Sequence, residues 1–304
     1  MAVLALVEPS EELSFQALAL ARDLGGPLHA LAFDDSELGA YGVETVHVAE
    51  LEAYAPAAWA ACLQGLIDKL QPTAVVAAGT NRGNEVLSHL AARLDLPFAA
   101  NCIAVGDDGA VTRVRWGGSL LEEARIHADM KIVSVAPHMV EATTVNGGSA
   151  VVEQMDVAVD EADLVARVVE HTETPSAGVS LSEAKVVVSG GRGVGSADGF
   201  GILEELAGLL NAAVGCSRVV TMAGWRPHTD QVGQTGTKVA PDLYIACGIS
   251  GATQHIAGCK GAKKILAINS DAEAAIFAHA DYAVVGDLAE VVPAITAELR
   301  KARS

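Results

Sequence analysis

Glycine-bearing turns after apolar runs hold most of the side chains in this sequence that could do chemistry. In LYIACGISGATQHIAGCKGAKKILAIN, residues 243–269, an apolar run precedes the turn from Gly248 to Gly251, and Gln254 and His255 stand where a helix is predicted to begin. Ligands of α/β proteins bind where the carboxyl end of a strand leads into a helix, because unpaired N–H groups there favour an anion. Taken alone, an ordinary strand–turn–helix connection with a solvated histidine is the better explanation.

A second glycine cluster, SGGRG, follows the buried strand predicted at Lys185–Val188. Gly191 and Gly193 would let backbone N–H groups approach a pyrophosphate, and Arg192 could neutralise it with planar, bidentate donors. The third position of a G-x-G-x-x-G motif holds Ser196, and no acid lies about twenty residues further on to hold a ribose, so a standard NAD fingerprint is disfavoured. A glycine turn with a surface arginine remains the alternative.

Two further polar segments lie between these clusters. Ser217 and Arg218 end what is predicted to be a strand, and QVGQTG at 231–236 lies in a long segment without periodicity, roughly residues 221–240. Such segments in compact domains are usually functional or disordered. The Arg218 guanidinium stays charged at physiological pH and favours negative charge on a neighbour. The alternative for Arg218 is a surface salt bridge, and the alternative for Thr235 is an ordinary turn residue.

Together, these strings resemble the α subunit family of electron transfer flavoproteins. They are SGGRG at 189–193, GCSR at 215–218, QVGQTG at 231–236, and a strand Tyr, GISG, QH, Gly and AIN within 243–269, in that order and at compatible spacing. Residues 1 to about 175 are compatible with the family but carry less distinctive motifs. The resemblance covers the C-terminal part of the chain most specifically.

The resemblance implies an electron carrier without a substrate turnover site of its own. One FAD would accept electrons from dehydrogenases, such as the acyl-CoA dehydrogenases of fatty acid oxidation, and pass them to a membrane quinone oxidoreductase. The flavin would carry the chemistry, and the protein would set its potential and its access to partners. The chain would form a heterodimer with a β subunit that holds AMP or, in electron-bifurcating relatives, a second FAD. A bifurcating subunit is therefore one alternative.

Residue roles follow from the same resemblance. It places Arg218 beside the isoalloxazine, the Thr235 hydroxyl near N5 and His255 at the C2 carbonyl. A hydroxyl can donate to the oxidised N5 and accept from the reduced N–H, and an imidazole donor stabilises charge on the reduced ring. Asn269 and Asp287 would lie on the adenosine side, although Asp287 is also a plausible N-cap for a helix at Leu288–Ala302.

The predicted set contains no catalytic residue and no metal ligand. The predicted cofactor-binding residues are Gly191, Arg192, Gly193, Ser217, Arg218, Gln231, Val232, Gly233, Gln234, Thr235, Gly248, Ser250, Gly251, Gln254, His255, Asn269 and Asp287. Where the family commonly has a lysine after QTG and after AIN, this chain has Thr237, followed by Lys238, and Ser270. Any phosphate or ribityl contact of those lysines stays open.

A different class of function also accommodates the glycine turns. A nucleotide- or acyl-phosphate-handling enzyme could bind a cofactor as its substrate through the same segments. The sequence shows no compelling Ser-His-Asp, zinc or paired-carboxylate arrangement, which favours the electron carrier. In the N-terminal part, TNRG at 80–83 resembles a ligand-binding turn; we expect it to be structural, because the family's N-terminal domain carries no nucleotide.

Composition limits the partners and the compartment. The 304 residues include 20 Lys and Arg against 38 Asp and Glu, a net charge of −18, which repels the phosphate backbone of nucleic acids. Five cysteines show no C-x-x-C spacing and are odd in number, so neither a zinc site nor a disulfide framework is indicated. The first apolar run ends at Glu8, too short for a signal peptide core or a membrane span. We expect a cytoplasmic protein that does not insert into membranes.

The elements that must position these residues alternate between strands and helices. Apolar residues make up 51% of the chain and aromatic residues only 4%, which suits parallel strands buried between helices. The pattern predicts strands at 3–7, 29–33, 43–48 and 74–78, helices at 57–70 and 85–94 and one capped by Ser10, and a hairpin around Gly117-Gly118.

We therefore predict an α/β protein with two domains, each a mainly parallel sheet flanked by helices. Residues 1–175 would form a nucleotide-binding-like domain with a hairpin that serves as scaffold and contacts the β subunit. Residues 184–304 would form a Rossmann-like FAD-binding domain, and the polar segment 171–183 would link the two.

Overall fold

The computed structural model describes residues 2–34, 37–118, 120–146, 148–156, 158–170 and 179–303. The chain forms two compact units, Met1–Thr172 and Glu173–Ser304. Both are α/β units with mainly parallel sheets, which confirms the predicted fold class. Residues 171–178 of the predicted linker lie outside the described residues.

The first unit is built around one large sheet. Its elements are β1 (Val3–Leu6), α1 (Leu13–Asp23), β2 (Leu28–Ala32), β3 (Thr45–Ala49), α2 (Pro56–Leu70), β4 (Ala74–Ala78), α3 (Asn81–Leu94), β5 (Phe98–Val105), β6 (Ala110–Arg115), β7 (Leu120–Arg125), β8 (Lys131–Val135) and β9 (Val151–Met155). In the described part of this unit, nine strands pair in the order β7-β6-β5-β8-β4-β1-β2-β3-β9.

Strand β1 shows why this sheet must be covered on both faces. Its four residues are all buried, and successive side chains point to opposite faces of a sheet. Val3 and Ala5 belong to a core that includes residues of α1, whereas Leu4 and Leu6 pack in the core that α2 and α3 provide. The pairing is parallel except for β5-β6-β7, which are antiparallel, in agreement with the predicted hairpin.

Two local predictions in this unit need correction. Ser10 is not the N-cap of α1: it has a left-handed φ of 57°, and the helix begins three residues later at Leu13. Helix α3 begins at Asn81 and not near Glu85, because the Thr80 hydroxyl accepts the Gly83 N–H at 2.8 Å and caps the first turn. The TNRG segment therefore forms the cap and the first residues of α3.

The second unit contains β10 (Val186–Gly190), α4 (Gly201–Leu210), β11 (Ala213–Cys216), α5 (Arg218–Met222), β12 (Leu243–Cys247), α6 (Thr253–Cys259), β13 (Ile265–Asn269), β14 (Tyr282–Val285) and α7 (Leu288–Arg303). The strand order is β11-β10-β12-β13-β14, and all pairs are parallel. After β11, the chain returns to the other side of β10 to form β12. Open parallel sheets bind ligands outside the carboxyl ends of their strands at such a change of direction.

No helix in the described ranges combines the length and the apolar character needed to cross a bilayer.

Candidate functional site

A cavity of about 600 Å³ lies in the second unit, within the size range of ligand pockets. Its walls come from the segments that follow the carboxyl ends of β10, β11, β12 and β13. The lining residues are Arg192, Gly193, Ser217, Arg218, Val219, Gln231, Val232, Gly233, Gln234, Thr235, Gly248, Ile249, Ser250, Ala252, Gln254, His255, Asn269, Asp271 and Ala274.

The cavity brings together most of the residues predicted from the sequence, including Arg218, Thr235 and His255. Three predicted residues lie outside its lining: Gly191, Gly251 and Asp287. The Asp287 carboxylate instead accepts the Ala289 N–H at 2.9 Å at the start of α7, which is the helix-capping role considered as its alternative.

The glycines after β10 allow two turns to pack on each other. A Cβ atom at Gly191 would lie 2.2 Å from the Gly248 carbonyl oxygen, and one at Gly193 would lie 2.7 Å from the Gly248 Cα. The Gly191 N–H donates to the Cys247 carbonyl at 2.8 Å, and the Gly193 N–H donates to the Gly248 carbonyl at 3.0 Å. Both amides are therefore bonded within the protein, so a pyrophosphate approaching these glycines would have to accept from other donors.

Two backbone hydrogen bonds hold the loop that carries Thr235. Val232 N–H donates to the Cys216 carbonyl at 2.8 Å, which continues the edge of β11. Gln234 N–H donates to the Gln254 carbonyl at 2.7 Å. A Cβ atom at Gly258 of α6 would lie 2.3 Å from the Gly233 nitrogen, so this glycine lets the loop lie directly on the helix.

At the start of this loop, the Gln231 side chain forms hydrogen bonds with two hydroxyl groups. Thr221 donates to Gln231 Oε1 at 2.8 Å, and Gln231 Nε2 donates to the Thr235 hydroxyl at 3.1 Å. Gln231 is only 1% exposed. Thr221 was not predicted as a site residue. It stands three residues after Arg218 in a short helix, and the Arg218 carbonyl, 2.9 Å from its hydroxyl, is a second acceptor for the single hydroxyl proton.

His255 is a buried wall residue with one bonded and one unbonded ring nitrogen. Its Nε2 lies 2.9 Å from the Tyr244 hydroxyl, and Nδ1 is buried without a hydrogen-bond partner among the described residues. Burial lowers the pKa of His255 to about 4, so the imidazole is neutral near pH 7.

Ser217 presents a second unsatisfied group at the same cavity. Its hydroxyl is buried and, like His255 Nδ1, has no partner among the described residues. Buried polar groups are nearly always hydrogen-bonded in native proteins. Two residues of the lining thus carry buried polar atoms without a partner among the described residues.

The charge of the cavity favours an anion although the chain as a whole is acidic. The guanidinium groups of Arg192 and Arg218 belong to the lining, and neither forms an ion pair within the described ranges. Asp271 is the lining residue that carries a carboxylate. An anionic diphosphate with polar ring atoms matches this set of donors.

Asn269 connects the ends of two strands. Its Nδ2 donates to the Ile249 carbonyl at 2.9 Å, and its Oδ1 accepts the Asp271 N–H at 3.0 Å. These bonds hold the turn after β12 against the end of β13. The described lining includes neither of the substituted positions, Thr237 and Ser270.

The sequence did not identify five of the lining residues. They are Val219, Ile249, Ala252, Asp271 and Ala274. Four are apolar and contribute shape, for which a sequence carries no short motif. Asp271 could have been found, because it stands two residues after the predicted Asn269 at the same strand end.

Comparison with known proteins agrees with this architecture. Residues 5–160 match the family model for the electron transfer flavoprotein domain, and residues 180–260 match that for the electron transfer flavoprotein FAD-binding domain. The electron transfer flavoprotein subunit alpha of Syntrophomonas wolfei is 38% identical over 302 residues, covering 95% of both chains. That of Bacillus subtilis is 39% identical over 305 residues, covering 95% of this chain and 93% of the relative.

A relative with another name aligns over a similar length. Protein FixB of Clostridium saccharobutylicum is 34% identical over 310 residues, covering 97% of this chain and 93% of the relative. The identities, the coverage and the two domain matches lead to one conclusion. This chain belongs to the electron transfer flavoprotein α subunit family.

Proposed function

We propose that this protein is an electron carrier that binds one FAD in the cavity of its second unit. The observation that supports this most strongly is the convergence of Arg218, Thr235 and His255 on one cavity from three separate segments. The match of residues 180–260 to a domain described as FAD-binding points to the same cofactor. When bound, FAD supplies the electron-carrying chemistry.

The protein's own groups would set the environment of the flavin. Thr235 offers a hydroxyl that can donate or accept, and His255, also in the lining, offers a neutral imidazole whose Nδ1 has no hydrogen-bond partner among the described residues. Arg218 and Arg192 favour negative charge on the ligand. Ser217 supplies a further hydroxyl, while Asn269 and Asp271 lie at the end of β13, where the adenosine half would be bound.

We extend the proposal to the wider role that the family resemblance implies. The protein would pair with a β subunit that holds AMP or a second FAD, accept electrons from dehydrogenases such as acyl-CoA dehydrogenases, and deliver them to a quinone oxidoreductase. The first unit, with its antiparallel β5-β6-β7 edge, would contact the β subunit. Within the described ranges, no cluster of His, Cys, Asp or Glu is arranged to hold a metal ion, and the proposed function requires none.

The test is the cofactor content of the complex formed with the cognate β subunit. After desalting, we expect a yellow protein with flavin absorption bands and at least one FAD per heterodimer. Chromatography of the released nucleotides then counts AMP separately. A colourless complex that retains only a nucleotide would refute the proposal and favour a nucleotide-handling enzyme.

A variant localises the flavin to this chain. Arg218→Ala removes a guanidinium from the cavity and should increase the dissociation constant of FAD roughly tenfold, the loss of one charge-assisted hydrogen bond. Arg300→Ala serves as the matched control, because Arg300 is a surface residue that pairs with Glu205 away from the lining. Equal FAD retention by the two variants would place the flavin elsewhere.

A further inference from the structure

Thr221, Gln231 and Thr235 form a continuous line of hydrogen bonds that ends at the cavity. The Thr221 hydroxyl donates to Gln231 Oε1 at 2.8 Å, and Gln231 Nε2 donates to the Thr235 hydroxyl at 3.1 Å. Gln231 and Thr235 belong to the cavity lining, and Thr221 does not. A residue outside the cavity is thereby connected to the hydroxyl group of a residue in its lining.

The donors and acceptors along this line of hydrogen bonds can exchange roles, so the line has two possible directions. A hydroxyl group both donates and accepts, and the two ends of a primary amide are a donor and an acceptor. In the arrangement observed, Gln231 donates to Thr235, so the Thr235 proton is available to the ligand. If the Gln231 amide turns over, Thr235 donates to Gln231 Oε1, and the Thr235 oxygen is available to accept from the ligand.

The reverse direction is complete only because Thr221 has a second acceptor. With the amide turned over, Gln231 Nε2 donates to the Thr221 oxygen, and the Thr221 proton then needs another partner. The Arg218 carbonyl lies 2.9 Å from the Thr221 hydroxyl. Each hydroxyl keeps one proton in both directions, so reversal requires only rotation of the two hydroxyls and of the amide.

We propose that Thr221 and Gln231 are positioning residues that form a reversible relay, allowing the Thr235 hydroxyl to donate to the oxidised flavin and accept from the reduced flavin. This inference rests on the proposed function. Oxidised flavin offers a lone pair at N5, and the two-electron-reduced ring carries N5–H. The electrons come from a reduced flavoenzyme donor and the N5 proton from that donor or from water, so the relay itself transfers neither.

Without reversal, reduction would leave polar groups in conflict. The N5–H of the reduced ring and the Gln231 N–H would both point at the Thr235 oxygen, and the Thr235 proton would have no acceptor. An unsatisfied buried donor costs about 1–3 kcal/mol. Thr235 is exposed in the absence of a ligand, but a flavin bound in the cavity would cover it, so water would not readily supply the missing acceptor.

Two substitutions at position 221 test the relay. Thr221→Val has a similar shape but no hydroxyl, while Thr221→Ser keeps the hydroxyl. In Thr221→Val, the observed direction leaves Gln231 Oε1 unpaired, whereas the reverse direction leaves its N–H groups unpaired. Among backbone groups, unpaired buried N–H groups are rarer than under-satisfied carbonyl groups. If the same preference holds for the Gln231 amide, the substitution should disfavour the state that accepts from reduced flavin.

The expected result is a lower midpoint potential in Thr221→Val. At a fixed solution potential, the ratio of reduced to oxidised flavin should fall about tenfold, equivalent to about 30 mV for a two-electron couple. Thr221→Ser should restore the wild-type potential. Equal potentials in all three proteins at full FAD content would overturn the relay while leaving the proposed function intact, whereas wild-type protein without FAD would overturn the proposed function itself.

An infrared difference spectrum between the oxidised and reduced complex gives a second readout. The Gln231 carbonyl changes its partner from Thr221 to Thr235, so its amide band should shift in the wild type and in Thr221→Ser. Uniform labelling with carbon-13 glutamine identifies glutamine bands, and Gln231→Met identifies the one lost. If no band that disappears in Gln231→Met shifts on reduction, the relay is wrong whatever the potentials show.

Discussion

The Tyr244 hydroxyl lies 2.9 Å from Nε2 of His255, and this contact orients the imidazole ring of a residue that lines the cavity. Tyr244 is fully buried on β12, and His255 is 6% exposed on α6. A neutral imidazole carries one proton. If the tyrosine donates to Nε2, that proton resides on Nδ1, and His255 becomes a hydrogen-bond donor to the ligand.

The first prediction concerns this tautomer. Nitrogen-15 NMR of labelled histidine should show His255 protonated at Nδ1 in the wild-type protein. Tyr244→Phe removes the partner of Nε2, so the preference should weaken and the dissociation constant of FAD should rise about tenfold. Tyr282→Phe is the control, because Tyr282 is 59% exposed on β14. A wild-type His255 protonated at Nε2 would contradict this assignment.

The second prediction is a loss of stability in acid that depends on His255. Burial lowers the pKa of His255 from 6.5 to about 4. Between these values the unfolded state binds more protons, so the free energy of unfolding falls as the pH drops from about 6.5 to about 4. The contribution amounts to roughly 3 kcal/mol. Urea unfolding of the FAD-free protein should show a smaller acid loss for His255→Gln, and parallel pH curves would disprove the assignment.

The third prediction concerns the first unit, where stability should decrease as the pH rises and not as it falls. Burial raises the pKa of Glu8 from 4.5 to about 7, against the hydrogen bond from Thr80 that lowers it. Between these values the folded state binds more protons, so stability decreases as the pH rises from 4.5 to 7.

Glu8→Gln removes this titration and should stabilise the protein above pH 7 by up to roughly 3 kcal/mol relative to wild type. Denaturant unfolding at pH 5 and pH 8 measures the difference. A variant that is no more stable than wild type at the higher pH would be inconsistent with a buried Glu8 carboxylate.

The fourth prediction tests the packing of the two glycine turns. Gly191→Ala places a Cβ atom 2.2 Å from the Gly248 carbonyl oxygen, so the backbone must shift. The free energy of unfolding should fall by about 3 kcal/mol. Gly208→Ala is the matched control: its Cβ would enter open space on α4, and alanine favours a helix by about 1 kcal/mol. Thermal unfolding should move in opposite directions for the two variants.

The sequence predicted most of the strand-end residues that line the cavity because that information is local. Ser217 and His255 each follow a short apolar run and a turn, and in a parallel sheet such ends share one edge. The roles of Gly191 and Asp287 were ambiguous, since a glycine turn or an acid before a helix serves packing or capping as readily as ligand binding. Only the neighbouring backbone, Gly248 in one case and Ala289 in the other, decides between them.

Contacts between distant segments could not be predicted. The bond between Thr221 and Gln231 depends on a loop without periodicity, whose path is fixed by the approach of Gly233 to Gly258. Strand β9 was missed for a related reason. Val151 and Val152 are exposed at the edge of the sheet, so the strand lacks the pattern of alternating burial by which strands are recognised.

The central claim is that Thr235, His255 and Arg218 surround one flavin ring. The most direct measurement is a crystal structure of the complex with the β subunit. We predict isoalloxazine density in this cavity, with Thr235 and His255 at hydrogen-bond distance and the Arg218 guanidinium against the ring. Flavin density that contacts none of these three side chains would contradict the account.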